Sequence, residues 1–221
     1  MKTKKQLIGT TTLLFLIFLT NVTTSPSVDP PTGKIIGKVK LINHNGKAVN
    51  KPELMVAAKG GIQNVVITIE GTEGEFKEDP ISIDQKNKTY WPRVSVSMVG
   101  NELTFLNNDA ILHNVHSYRG METLYNVAMP KFIKKRITKL EQPGLMTVRC
   151  DVHQEMKAYV VVANNPHYTI TNKAGLFEIN SIPAGTYKIK AWHETLGSIE
   201  KEVTIVAGEK TAVIFELALD N

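Results

Sequence analysis

From Lys34 onward the apolar residues arrive in short β-branched runs: KIIGKVKLI (34–42), NVVITIEG (64–71), VSVSMVG (94–100), ELTFLNN (102–108), LMTVRC (145–150) and AYVVVA (158–163). Gly, Pro and Asn clusters separate them, the punctuation expected between strands. The best helical candidate, Lys131 to Leu140, carries β-branched residues and no wide apolar face. The chain is therefore predicted to be all-β. Its 221 residues, 42% of them hydrophobic, suffice to bury one large core or two small ones, which sets intrinsic disorder aside.

The start of the chain reads differently. Lys2, Lys4 and Lys5 precede an apolar run around Leu13–Leu19, and small polar residues follow to Ser25 and Pro26. This pattern predicts a signal peptide over residues 1–25 and a Pro-rich tether over 26–33. The apolar run is short for a membrane span. No cysteine follows for lipid attachment, so the expectation is a periplasmic or otherwise exported protein, membrane-attached only if the leader stays uncleaved. Loss of residues 1–25 removes three lysines and no acid, so the net charge of +5 becomes +2. A nucleic-acid partner is not expected of so balanced a chain.

A seam falls at Asn164-Asn165-Pro166. Residues 165–219 beyond it carry turn signals between alternating strands, as in a small β-sandwich. That unit is small for independent stability and is expected to pack on its neighbour. Residues 34–163 before the seam are read as the other domain, with a leading β segment.

An exported chain has access to disulfides, yet this one holds a single cysteine, which excludes an intramolecular disulfide and any multi-thiolate cluster. A lone thiol is protected by burial or by a metal. Cys150, His153 and Met156 follow at a spacing of three and three. Alternation in LMTVRC places Met146, Val148 and Cys150 on one face of a strand, and a tight loop can return His153 and Met156 to its end. Upstream, ELTFLNNDAILHNVHSY offers His113 and His116. One thiolate, two imidazoles and a weak thioether are the donors of a blue-copper electron-transfer site. Zinc would accept the thiolate and imidazoles but has little use for the thioether.

In NNDAILHNVHS and CDVHQEMKAYVVV the chain resembles the cupredoxins, and among them the amicyanin-like proteins with a C-x-x-H-x-x-M loop. The resemblance covers roughly residues 94–163. It implies a cupredoxin-type Greek-key β-sandwich that holds one mononuclear type 1 copper through His113, Cys150, His153 and Met156. Asn114 would brace that site by hydrogen bonding. The arrangement as a whole resembles the methylamine utilisation-like family. Residues 165–219 resemble the carboxypeptidase regulatory-like domain, a small transthyretin-like β-sandwich without catalytic residues. Where amicyanin-like loops carry Pro and an aromatic after the second His, this chain has Gln154 and Glu155. In IDQKNKTYWPRV it lacks a Cys and a His that relatives often carry.

The function expected from these readings is one-electron transfer by an exported copper protein. A redox partner protein would dock by transient polar contacts near His153, the ligand expected nearest the surface. The alternative is a copper-binding or adhesion module without redox turnover that interacts through its C-terminal sandwich. No enzyme activity is expected, because no further histidine cluster or nucleophile constellation is present. His116, His193, His44 and His167 are read as strand, edge or turn residues, and Tyr90 with Trp91 as packing. KFIKKR, from Lys131 to Arg136, reads as a solvated face with an acidic docking partner as the sharper possibility.

Overall fold

The computed structural model describes residues 30–42 and 53–219. The predicted signal peptide, residues 26–29 of the tether and His44 lie outside the described residues. The described residues form strands and no helix, as the sequence predicts, so none has a helix long and apolar enough to cross a membrane. The first strands are β1 (Thr32–Ile42), β2 (Val66–Glu70), β3 (Ile81–Lys86), β4 (Thr89–Trp91), β5 (Val94–Met98) and β6 (Glu102–Asn107). Then come β7 (His113–Arg119), β8 (Glu122–Met129), β9 (Lys135–Lys139), β10 (Gly144–Arg149) and β11 (Lys157–Ala163). The last are β12 (Tyr168–Ile170), β13 (Leu176–Pro183), β14 (Gly185–His193), β15 (Gly197–Ile205) and β16 (Lys210–Ala218).

These strands build two sandwiches. The inner one faces a five-stranded sheet, β5-β11-β10-β7-β8, against a four-stranded sheet, β4-β3-β6-β9. The chain crosses between the sheets at β4–β5, β5–β6, β6–β7, β8–β9 and β9–β10, which gives the interleaved order of a Greek-key sandwich. Ile83, Leu103, Phe105, Val115, Val148, Val160 and their neighbours fill the space between.

The outer sandwich corrects the predicted domain boundary. The sequence groups the leading β segment with the metal-site domain over 34–163, but the sheets do not. β1 lies between β13 and β16 in a three-stranded sheet, and β2 lies between β12 and β14 in a four-stranded one. Without β1 and β2 the strands of the C-terminal unit would leave a gap in the middle of each sheet. The two chain ends therefore close one sandwich, and the inner sandwich is inserted between β2 and β12. Its core draws on both ends, with Ile35, Val39, Ile67 and Ile69 packed against Phe177, Ile189 and Phe215. Gly37 is required there, since a Cβ would lie 2.2 Å from the Phe177 ring and 2.5 Å from the Val213 carbonyl.

The sandwiches meet through Arg93, which forks onto both carboxylate oxygens of Glu194 at 2.7–2.9 Å. Tyr159 meets Trp192 edge to face, with centroids 5.5 Å apart, and the Tyr168 hydroxyl donates to Asp79 at 3.0 Å.

Candidate metal centre

Neighbouring strands set the site. β7 pairs with β10, so His113 at the head of β7 lies beside the end of β10, where Cys150 follows Arg149. Alternation along β10 buries Met146, Val148 and Cys150 and leaves Leu145 and Arg149 exposed. Alternation along β7 buries His113, Val115 and Ser117 and turns Asn114, His116 and Tyr118 to the other side. A turn closed by the Met156 amide on the His153 carbonyl, 3.1 Å, brings the loop back toward Cys150.

The Nδ1 atoms of His113 and His153 stand 3.1 Å apart. The Cys150 Sγ lies 4.0 Å from the first and 3.7 Å from the second. Donors bonded at about 2.0–2.3 Å to one shared ion, at angles between tetrahedral and trigonal, stand about 3.3–3.8 Å from one another. The three observed separations lie within or about 0.2 Å outside that range, so small side-chain shifts would let the thiol and the two imidazoles share one ion. His113 is fully buried, Cys150 nearly so, and His153 half-buried, which makes it the ligand open to the surface. Met156 is buried in the same apolar cluster as Cys150.

The surroundings orient these donors. The Asn114 amide donates to Cys150 Sγ at 3.5 Å. The Asn114 side chain donates to Asp151 at 2.9 Å and accepts from the Asp151 amide, which ties the strand after the first histidine to the residue after the thiol. Beneath them the Tyr90 hydroxyl reaches the carbonyls of Asn114 and Arg149 at 2.6 and 3.1 Å. Burial, with Cys150 and Asp151 near, pushes that phenol well above its ordinary pKa.

Asp109 holds the remaining nitrogen of His113, with Nε2 2.8 Å from its carboxylate. Burial opposes ionisation of Asp109, but the Lys88 amide, the His113 ring and the Asn87 amide outweigh it and hold the carboxyl below the usual range. An ionised carboxylate can only accept, so Nε2 carries the proton and Nδ1 presents its lone pair to the cluster. The two amides come from the turn between β3 and β4, where Asn87 and Lys88 both have positive φ (53° and 54°), as a two-residue hairpin turn requires. Buried Asn107 clamps the same loop through the carbonyls of Ile111 and Met129 at 3.2 and 2.7 Å.

His116 stays outside the cluster. Its Nδ1 meets the Asp151 carboxylate at 3.0 Å and its Nε2 meets the Thr123 hydroxyl at 3.1 Å. His167 and His193 belong to the outer sandwich. The aromatic pair divides, with Tyr90 buried under the site and Trp91 73% exposed rather than packed. Sequence reasoning passes over Asp109 and Asn107 and reads Tyr90 only as packing, not as a support of the site. The NND that opens the first-ligand motif contained the signal for two of them.

No family model matches the chain, and no curated protein does. Among solved structures it is similar to a variant of amicyanin in the Cu(I) state, 23% identical, over 43% of this chain and 97% of that one, with a TM-score of 0.34. A reduced variant of amicyanin is 25% identical over the same shares, with a TM-score of 0.35. A Cu-containing nitrite reductase from Thermus scotoductus SA-01 is 18% identical over 39% of this chain and 23% of that one, with a TM-score of 0.33.

Proposed function

We propose that this chain is an exported one-electron carrier with a single copper ion held by His113, Cys150, His153 and Met156. The observation that carries the reading is the convergence of one thiol and two imidazoles, all within 4.8 Å, at the end of a rigid sandwich. A soft thiolate with two imidazoles suits both oxidation states of copper, and a thioether suits copper better than zinc. Copper held there would supply the redox couple. The chain's own residues do the rest: Asp109 fixes the His113 ring, and the Asn114 amide donates to the sulfur. The core around Cys150 and Met156 excludes water, and the sandwich limits rearrangement between states.

His153, the half-buried ligand, is the entry and exit point for the electron. We assign the chain no turnover of its own. Export rests on the basic and apolar N-terminal pattern.

The copper(II)-loaded protein should absorb intensely in the visible through thiolate charge transfer, and Cys150→Ala should abolish that band. A colourless complex overturns the reading. A coloured complex that cannot be reduced and reoxidised would favour the non-redox module.

A further inference from the structure

Besides Arg149 and Lys157, which adjoin Cys150 and Met156 in sequence and pair across β10 and β11, the cations around the metal centre lie in the turns and strand next to His113. Lys86 and Lys88 flank Asn87 in the turn whose amides bind Asp109, the carboxylate on His113. Lys131 lies in the turn after Met129, the register partner of His113. Lys134 lays its ammonium on the carbonyls of Asn107 and Asp109, at 3.1 and 3.5 Å, in the loop leading to His113. Lys135 pairs with Leu106, and Leu106 with Asp84, so β9 and the hairpin stand two strands apart, about 10 Å at the usual spacing.

These five lysines and Arg136 are exposed, and none forms an ion pair among the described residues. The acids within the crescent are engaged, Asp84 by Asn108 and Asp109 by His113 and the turn amides. Free acidity lies in the ligand loop instead, at Glu155. Exposed apolar side chains stand beside both ligands: Ile111 and Leu112 before His113, Val152 before His153, with Phe132 in the cationic turn.

We infer that this crescent docks an acidic protein partner and steers it onto the rim beside His153. The inference rests on the electron-carrier reading and adds the sign and position of the partner's charge. Six cations against the carboxylates of Asp84 and Asp109 leave an excess of positive charge, which raises the local potential and speeds encounter with an opposite charge. Apolar side chains bordered by charge are the arrangement of a transient protein interface. Nucleic acid and anionic bilayers would also answer to the cations. A crescent around the loop of His113, whose ring stands 3.1 Å from that of half-buried His153, favours a compact protein whose own centre must come close to the site.

Two measurements test this. The metal-free, isotope-labelled protein is titrated with a decaglutamate peptide and followed by amide NMR shifts. Shifts gathered at residues 86–89 and 131–136 are expected. Shifts elsewhere, no shifts, or stronger effects of an oligothymidylate or of phosphatidylglycerol vesicles at equal charge overturn the inference. In the second, the reduced copper-loaded protein gives one electron to hexacyanoferrate(III), leaving oxidised protein and hexacyanoferrate(II) with no proton moved. Joint Lys86→Glu, Lys88→Glu and Lys131→Glu should slow this about tenfold at low ionic strength. The same reversal at Lys173, Lys201 and Lys210 on the outer sandwich should leave it unchanged. Equal rates in the two variants overturn the crescent. Absence of electron exchange in the unaltered protein overturns the carrier reading instead, and the peptide titration, which needs no metal, still decides the crescent.

Discussion

Both sandwiches bury histidine, and only the inner one assembles it. In the outer sandwich His167 is spent on the Thr72 hydroxyl and the Ser181 carbonyl, at 3.1 and 3.0 Å. His193 accepts from the Thr195 amide at 3.1 Å, and its Nε2 has no partner among the described residues. No thiol and no second imidazole stands near either among the described residues. In the inner sandwich His113 is equally buried, but one nitrogen rests on a carboxylate and the other faces a thiol and a second ring. A buried imidazole by itself therefore says little. What marks a site is convergence of donors with a partner that fixes the tautomer.

The largest effect should come from breaking that convergence. His113→Ala removes one of three closely spaced donors. Loss of an outer partner alone typically costs about 10–100-fold in metal affinity, so loss of a donor should exceed about 100-fold. Isothermal titration with copper measures it. His167→Ala should leave copper affinity unchanged while lowering stability by about 1–3 kcal/mol, through the hydrogen-bonding groups it abandons. If the two variants bind copper alike, the contrast between the sandwiches fails.

The next contrast concerns acid. Burial, aided by Arg93 and opposed by Glu53, depresses His193 from 6.5 to about 4. Between those values the unfolded chain binds a proton that the folded chain refuses, so stability falls as pH drops from about 6.5 toward 4. The loss approaches about 3 kcal/mol near the lower limit. Thermal melts across that window should show a flatter dependence in His193→Gln. An unchanged slope would mean that His193 is not the group responsible.

The sequence displayed the inner sandwich far better than the outer. All-β class followed from short β-branched runs, and the donors stood in two contiguous motifs, because a strand end and a tight loop are local geometry. The choice of His113 over His116 rests on the family resemblance, and the structure supplies its physical reason, since alternation along β7 buries the first and turns the second away. Ownership of β1 and β2 was not legible. KIIGKVKLI fits any half-buried sheet, and its partners Leu176–Pro183 and Lys210–Ala218 lie more than a hundred residues away. Pairing over such a distance leaves no periodic trace. The need for it was visible only indirectly, in a C-terminal unit too small to close its own core.

The junction should separate stability from site chemistry. Arg93→Ala leaves Glu194, only 4% exposed, without its fork of hydrogen bonds. Breaking a fully buried pair costs about 3–5 kcal/mol, but Arg93 is 37% exposed and water can partly replace it. About 2 kcal/mol is the expected loss in denaturant unfolding. The visible spectrum of the copper form should not move. A shifted band would show that the outer sandwich reaches the metal through Arg93, and the two regions would have to be treated as one.

The smallest expected effect tests the finest part of the comparison, the carboxylate that distinguishes His113 from the outer histidines. Asp109→Asn keeps the shape but only one acceptor, so one of the two hairpin amides, which bind different oxygens of Asp109, keeps its partner. It removes the charge that obliges Nε2 to carry the proton, because an amide can present either its oxygen or its NH2 to the ring. Part of the population then turns an NH2 to Nε2 and places the ring proton on Nδ1, where it competes with the metal. Since one orientation of the amide still supports the right tautomer, copper affinity should fall by about tenfold, the low end for an outer partner, or about 1.4 kcal/mol. Asp109→Ala has no orientation that works and should lose more. Equal affinities in the two variants would mean that the Asp109 carboxylate serves the hairpin rather than the histidine.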